Sequence, residues 1–156
     1  MNRVNRTSAA LVLTALAAPL AGCASPLVVD AAPYAADPDC ARVMLAVPEV
    51  VGGLEMRATS SQATSAWGED NALIMRCGVE PPGPTTETCI AVETSGDTVD
   101  WLVLEEDDAW RAVTFGRSPA VELEVPKVRA QEALGDVLAE ASAAAGRAPL
   151  NGLACR

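Results

Sequence analysis

Apolar and polar residues change rhythm several times along this chain, and each change marks a different element. An almost unbroken apolar run from Ala9 to Gly22 comes first, behind a short segment that carries Arg3 and Arg6 and no acid. A spanning helix needs about 20 apolar residues, and this run stops short of that, so it reads as the hydrophobic part of an export signal. Residues 24–36 have the look of a short tether, in which Leu27-Val28-Val29 could add a strand to a sheet edge. Asp37-Pro38-Asp39 predicts a helix start: an N-cap oxygen, Pro in the first turn, and an acid near the positive end of the dipole. The helix should run from Pro38 to Val47, stop ahead of Pro48, and bury Val43, Met44 and Val47.

Beyond the Gly52-Gly53 turn the period shortens toward two. "LEMRAT" alternates weakly, "SSQATS" reads as loop, and "NALIMRCGV" is apolar enough for a buried strand that ends at Gly78 and "EPPGPTT". "CIAV", "TVDWLVLE", "WRAVTFG" and "AVELEV" follow as four more strands, with "SGD" and "EEDD" placed as hairpin connections. After Pro126 the period lengthens again. Ala130, Leu134, Val137, Leu138, Ala141 and Ala145 form one helical stripe, and Gly146 sits where a C-cap belongs. The expected fold is α+β: a mostly antiparallel sheet of about five to six strands with an N-terminal and a C-terminal helix packed on it.

Leu20-Ala21-Gly22-Cys23 sharpens the reading of the leader. Leu, two small residues and Cys at the end of such a run resemble a bacterial lipobox, in which the cysteine thiol takes a diacylglyceryl group. The expected organisation is therefore a lipoprotein signal peptide over 1–22, lipid anchor and tether over 23–36, and a single domain over 37–156. Cleavage before Cys23 removes two of 11 basic residues and none of 21 acids, so the net charge moves from −10 to 9 − 21 = −12. The expected location is the extracytoplasmic face of the cell membrane, with the membrane contacted through the acylated Cys23. Two or three acyl chains give stable anchoring where one does not.

Composition narrows the chemistry. The chain is 50% hydrophobic, enough for one core, and only 3% aromatic. It has no histidine, which removes Ser-His-Asp and Cys-His nucleophile systems and His-ligated metal sites. No P-loop, Gly-rich dinucleotide turn or paired metal-binding cysteine motif is present, so no cofactor and no metal are expected. The strong negative charge repels phosphates and argues against nucleic acid as a partner.

With Cys23 acylated, Cys40, Cys77, Cys89 and Cys155 remain, and an exported chain should oxidise them. Cys77 closes one strand-like run and Cys89 opens the next, which suggests a Cys77–Cys89 bridge. Cys40 with Cys155 would then join the start of the domain to its end. Both are expected to be structural staples, since no CxxC is present.

Taken together, the lipobox, "DPDCARVMLAVPEVVGG", "AWGEDNALIMRCGVEPPGP", "VDWLV" and "TFGRSPAVELEVP" are similar to the actinobacterial lipoproteins grouped as domain of unknown function 3515. The similarity spans nearly the whole mature chain. Glu69-Asp70 stands where the family pattern suggests a proline. The resemblance implies location and fold, and it brings no catalytic residue.

Trp67, Arg76, Trp101 and Arg117 are the candidate binding residues, because an arginine beside an aromatic ring can stack and can clamp a carboxylate or phosphate. The competing reading makes both tryptophans core and pairs both arginines with acids. Glu105 to Asp108 lack the spacing of a calcium loop and read as a solvated hairpin tip. Glu122 and Glu124 alternate with Val121, Leu123 and Val125, as in a strand with one wet face, and would be a catalytic pair only under a cleft. No catalytic residue is assigned. The expected role is a non-enzymatic envelope lipoprotein that engages an envelope protein as an interaction or assembly module. The alternatives are a binder of an anionic or aromatic envelope metabolite and a carboxylate-dependent hydrolase.

Overall fold

The computed structural model describes residues 25–130 and 134–155. The leader and Cys23 lie outside the described residues. The first helix, α1 (Pro38–Met44), starts as its sequence dictates, with the Asp37 carboxylate accepting from the Asp39 amide at 2.8 Å. It ends three residues before the expected Val47, at a C-cap on Leu45. Val43 is buried, and Met44 and Val47 pack partly against the core.

Among the described residues eight strands follow: β1 (Val50–Val51), β2 (Leu54–Arg57), β3 (Thr64–Trp67), β4 (Leu73–Val79), β5 (Cys89–Glu93), β6 (Thr98–Glu105), β7 (Ala109–Phe115) and β8 (Ala120–Pro126). They form one antiparallel sheet in the order β1-β2-β3-β4-β8-β7-β6-β5. The α+β class and the β5–β8 meander match the expectation, whereas five to six strands was too few. The short β1 and the polar β3 went unseen, because Thr64 and Ser65 belong to a stretch whose composition reads as loop. Thr64 is nevertheless buried. Its hydroxyl donates to the Ser61 carbonyl at 2.5 Å, so burial leaves no polar group stranded.

Two helical segments close the chain, α2 (Lys127–Ala130) and α3 (Leu134–Ala145). Val137, Leu138, Ala141 and Ala145 are buried as the stripe predicts, and so are Ser142 and Ala144. Gly146 does not adopt a left-handed cap. Its amide still donates to the Ser142 carbonyl at 2.8 Å, and a side chain there would press on that carbonyl and on Val99.

Strand alternation gives the sheet two unlike faces. Leu73, Met75, Val99, Trp101, Val121, Leu123 and Val125 share the core with α1 and α3. The opposite face carries Arg76, Leu102, Leu104, Arg111, Val113, Phe115 and Glu122, and irregular chain lies along it: the Pro-rich loop between β4 and β5, and the C-terminal tail. Residues 25–36, expected to be a tether, are docked onto the domain. Leu27 bridges Thr59, the Tyr34 amide donates to the Gly78 carbonyl at 2.8 Å, and Val29, Ala32 and Ala35 are buried.

The expected disulfide pairing is corrected. The bonds are Cys40–Cys77, joining α1 to β4, and Cys89–Cys155, joining β5 to the tail, with Cα–Cα separations of 5.6 and 5.9 Å. Sequence neighbours are not spatial neighbours in this sheet. β8, β7 and β6 lie between β4 and β5, so a Cys77–Cys89 bond would have to cross four strand spacings, about 19 Å, against the ~7 Å limit for a disulfide.

Peptide mapping without reduction should return Cys40–Cys77 and Cys89–Cys155. On the chain-entropy scale, loops of these lengths stabilise by about 4 kcal/mol each. Chemical denaturation of the Cys40→Ser/Cys77→Ser variant should therefore show a loss of that order.

Candidate functional site

Trp67 and Trp101 are core residues. Both are fully buried on the helix-covered face, and both satisfy the indole N–H locally. Trp67 Nε1 donates to the Pro48 carbonyl and Trp101 Nε1 to Ser142 Oγ, each at 2.9 Å. Ser142 Oγ in turn donates to the Leu138 carbonyl at 2.6 Å, so one buried polar chain joins β6 to α3.

Arg117 is a structural clamp. It is 2% exposed and follows Gly116 in the turn between β7 and β8. Its Nη1 donates to the carbonyls of Gly146 and Ala148 at 2.8 and 2.6 Å, just beyond α3, where carbonyls lack helical donors and the dipole favours a cation. Nη2 donates to the Asp97 carboxylate and to the Thr98 carbonyl at 3.2 Å. One guanidinium thereby holds the β7–β8 turn, the end of α3 and the β5–β6 hairpin together. That hydrogen bond holds the Asp97 carboxyl below its ordinary pKa.

Arg76 stands on the opposite face, so the four candidate residues do not converge. It faces Glu122 directly across the β4–β8 ladder. Its Nε donates to Glu122 Oε1 at 2.9 Å, and its Nη2 donates to the same oxygen. Arg111, diagonal to Glu122 on β7, donates from Nη1 to Glu122 Oε2 at 3.1 Å and from Nε to Glu106 Oε1 at 2.9 Å. Glu122 was expected on a wet strand face, yet only 4% of it is exposed. Two arginines replace its water. Both carboxylate oxygens are occupied by guanidinium donors, so Glu122 presents no free oxygen to a substrate and does not form an open pair with Glu124.

The acidic run is a hairpin tip, as its sequence predicts, and its first two members are engaged. Glu105 accepts from Lys127 Nζ at 2.9 Å, Glu106 belongs to the arginine network, and Lys127 lies 5.9 Å from the Trp110 ring centroid. No group of three or more metal-ligating side chains is gathered among the described residues.

Three adjoining hollows of about 480, 550 and 530 Å³ lie on the opposite face and share linings. The first runs beneath Pro82 and Pro84 over a floor of Leu102, Leu104 and Val113. The second shares Pro84, Glu87 and Leu102 with it and reaches the tail. The third shares Phe115 and Gly152–Cys155 with the second. Together they make a groove rather than a hole.

The chain matches the family model described as "Protein of unknown function (DUF3515)" over residues 7–149. It belongs to that family. Comparison with curated proteins and with solved structures returned no match. Two of the stretches that carry the resemblance to DUF3515 now have structural reasons. A side chain at Gly116 would collide with the Leu153 carbonyl and one at Gly78 with the Tyr34 backbone, both at positive φ, so each glycine admits an irregular segment against the sheet. Cys77 and Arg117 sit beside those glycines and fasten the same segments or their neighbours.

Sequence reasoning missed Arg111 and the groove. Arg111 pairs with a residue eleven positions away, and nothing in one strand's pattern announces a partner on the next.

Arg117→Ala strips a buried network and should cost about 3–5 kcal/mol in denaturation. Glu122→Gln should cost about 1–2 kcal/mol, because Arg76 and Arg111 are 29% and 38% exposed and can rehydrate. A lowered Asp97 pKa means that its contribution is complete above the ordinary Asp value of about 3.9 and fades as pH falls below it. In acid titrations, the stability difference between the native protein and Asp97→Asn should shrink over that range.

Proposed function

We propose that this DUF3515 protein is an exported, lipid-anchored interaction module of the cell envelope that performs no catalysis. The observation that carries this reading is how the reactive side chains are used. Glu122, Arg76, Arg111, Arg117 and Asp97 are bound to one another or to backbone carbonyls, while the open feature of the domain is a groove with an apolar floor. An enzyme needs a reactive group free to meet its substrate, and these side chains are engaged with other parts of the fold. Recognition needs a shaped surface with ordered walls, which the groove supplies.

The leader supports the location. Leu20-Ala21-Gly22-Cys23 ends an apolar run behind two arginines, and no helix among the described residues is long and apolar enough to cross a membrane. Docking of residues 25–36 onto the domain would hold it close to an acylated Cys23 rather than on a long stalk.

Metabolic labelling with an alkyne fatty acid, followed by membrane fractionation, should find the native protein labelled and sedimenting with membranes. Cys23→Ala should lose the label and the sedimentation. Equal labelling of both would overturn the anchor. Crosslinking in those cells should recover a stoichiometric protein partner, and recovery of the chain alone would remove the interaction reading.

A further inference from the structure

We propose that the groove on the open sheet face receives an extended, basic polypeptide segment with interspersed apolar side chains, contributed by a protein partner. This rests on the interaction reading above and specifies its contact.

The shape argues for an extended occupant. Three hollows in a row, each about 500 Å³ and joined by shared linings, suit a chain laid along the face better than one compact ligand. The roof is stiff before anything binds, because Pro82 and Pro84 have fixed φ and lose little freedom on complex formation. Buried Leu102 and Val113 make a floor for apolar side chains.

Charge decides the sign of the partner. Each arginine that lines the groove is already committed. Arg111 is held by Glu106 and Glu122, and Arg117 by Asp97 and three carbonyls. Glu80 and Glu87, which border the first hollow, have no cationic partner among the described residues, and both are exposed. A basic segment would therefore meet two exposed carboxylates at the rim that no described cation neutralises, Glu80 being engaged only by the Tyr34 hydroxyl, on a chain whose net charge of −10 already attracts cations. An anionic partner would find no free arginine in the groove.

The test uses the full chain with its disulfides closed, labelled with ¹⁵N and titrated with short synthetic peptides. A peptide alternating Lys with Val should shift the amides of Leu102, Leu104, Val113 and the Pro-rich loop in a saturable way. Its affinity should fall as salt rises, and by roughly tenfold in Glu80→Gln/Glu87→Gln. Asp107→Asn/Asp108→Asn, at the exposed hairpin tip, should bind as the native chain does. Equal binding of a Glu/Val or a Lys/Ser peptide would overturn the proposal, as would shifts centred on the hairpin tip. Saturation of the groove by an alkylamine with no response to any peptide would assign it to small amphiphiles and overturn a polypeptide occupant. A photoreactive residue at Thr85 in cells separates this proposal from the one beneath it. Partner crosslinks from Asp107 but none from Thr85 would remove the groove and leave the interaction module. Crosslinks from neither would remove both.

Discussion

A full positive charge buried at the meeting point of three elements is costly unless it is paired and hydrogen-bonded, and Arg117 is both, through four bonds from its two terminal nitrogens. Its guanidinium takes two carbonyls beyond α3, one carbonyl of β6 and the Asp97 carboxylate of the β5–β6 hairpin. Removing it would leave those carbonyls unpaired and release the chain that follows α3. That chain then runs back along the β7–β8 turn, where Arg117 bridges Leu150 and the Asn151 amide donates to the Gly116 carbonyl at 2.8 Å. Fixing this turn to the end of α3 directs the tail toward β5 and β6, where the Cys155 amide donates to Asp100 Oδ2 at 2.7 Å and Cys155 is bonded to Cys89.

The two faces of the sheet solve the problem of burial differently. On the helical face, Ala141, Ala144 and Ala145 let α3 approach closely, and two tryptophans supply the bulk that an aromatic-poor chain otherwise lacks. The opposite face has no helix among the described residues and is roofed in part by loop and tail. Backbone in such segments makes few regular hydrogen bonds of its own. The Cys89–Cys155 disulfide, the buried contacts of Arg117 and glycines that admit close approach make up for this where irregular chain meets strand. Central charges on that face are tolerated because Arg76 and Arg111 stand directly across and diagonally from Glu122.

Local physics was legible in the sequence, and pairing across distance was not. The start of α1, the meander, the hairpin tip and the stripe of α3 each follow from contiguous residues, and each was found. The α+β class followed from them. Cys77–Cys89 was misjudged because spacing along the chain says nothing of strand order, and β8 returns to separate β4 from the rest of the meander. Composition also misled. Thr64 and Ser65 look like loop but are buried strand, and Glu122 looks solvated but is shielded by arginines from two neighbouring strands. The tryptophans were correctly weighed as core, whereas joining them with Arg76 and Arg117 in one site failed because strand alternation sends Arg76 to the other face.

The same division explains why the groove lies on the irregular side. A face closed by helices has its shape set by core packing, and altering it for a ligand would disturb the residues that stabilise the fold. The opposite face can vary its roof without touching Trp67, Trp101 or Leu138, since its walls are loop and tail. Cys89–Cys155 pins the end of the Pro-rich loop and the tail to each other, so the groove lies between segments joined by a covalent bond. In an oxidising compartment that bond persists. A small domain thereby keeps a groove whose shape depends little on the packing of its modest core.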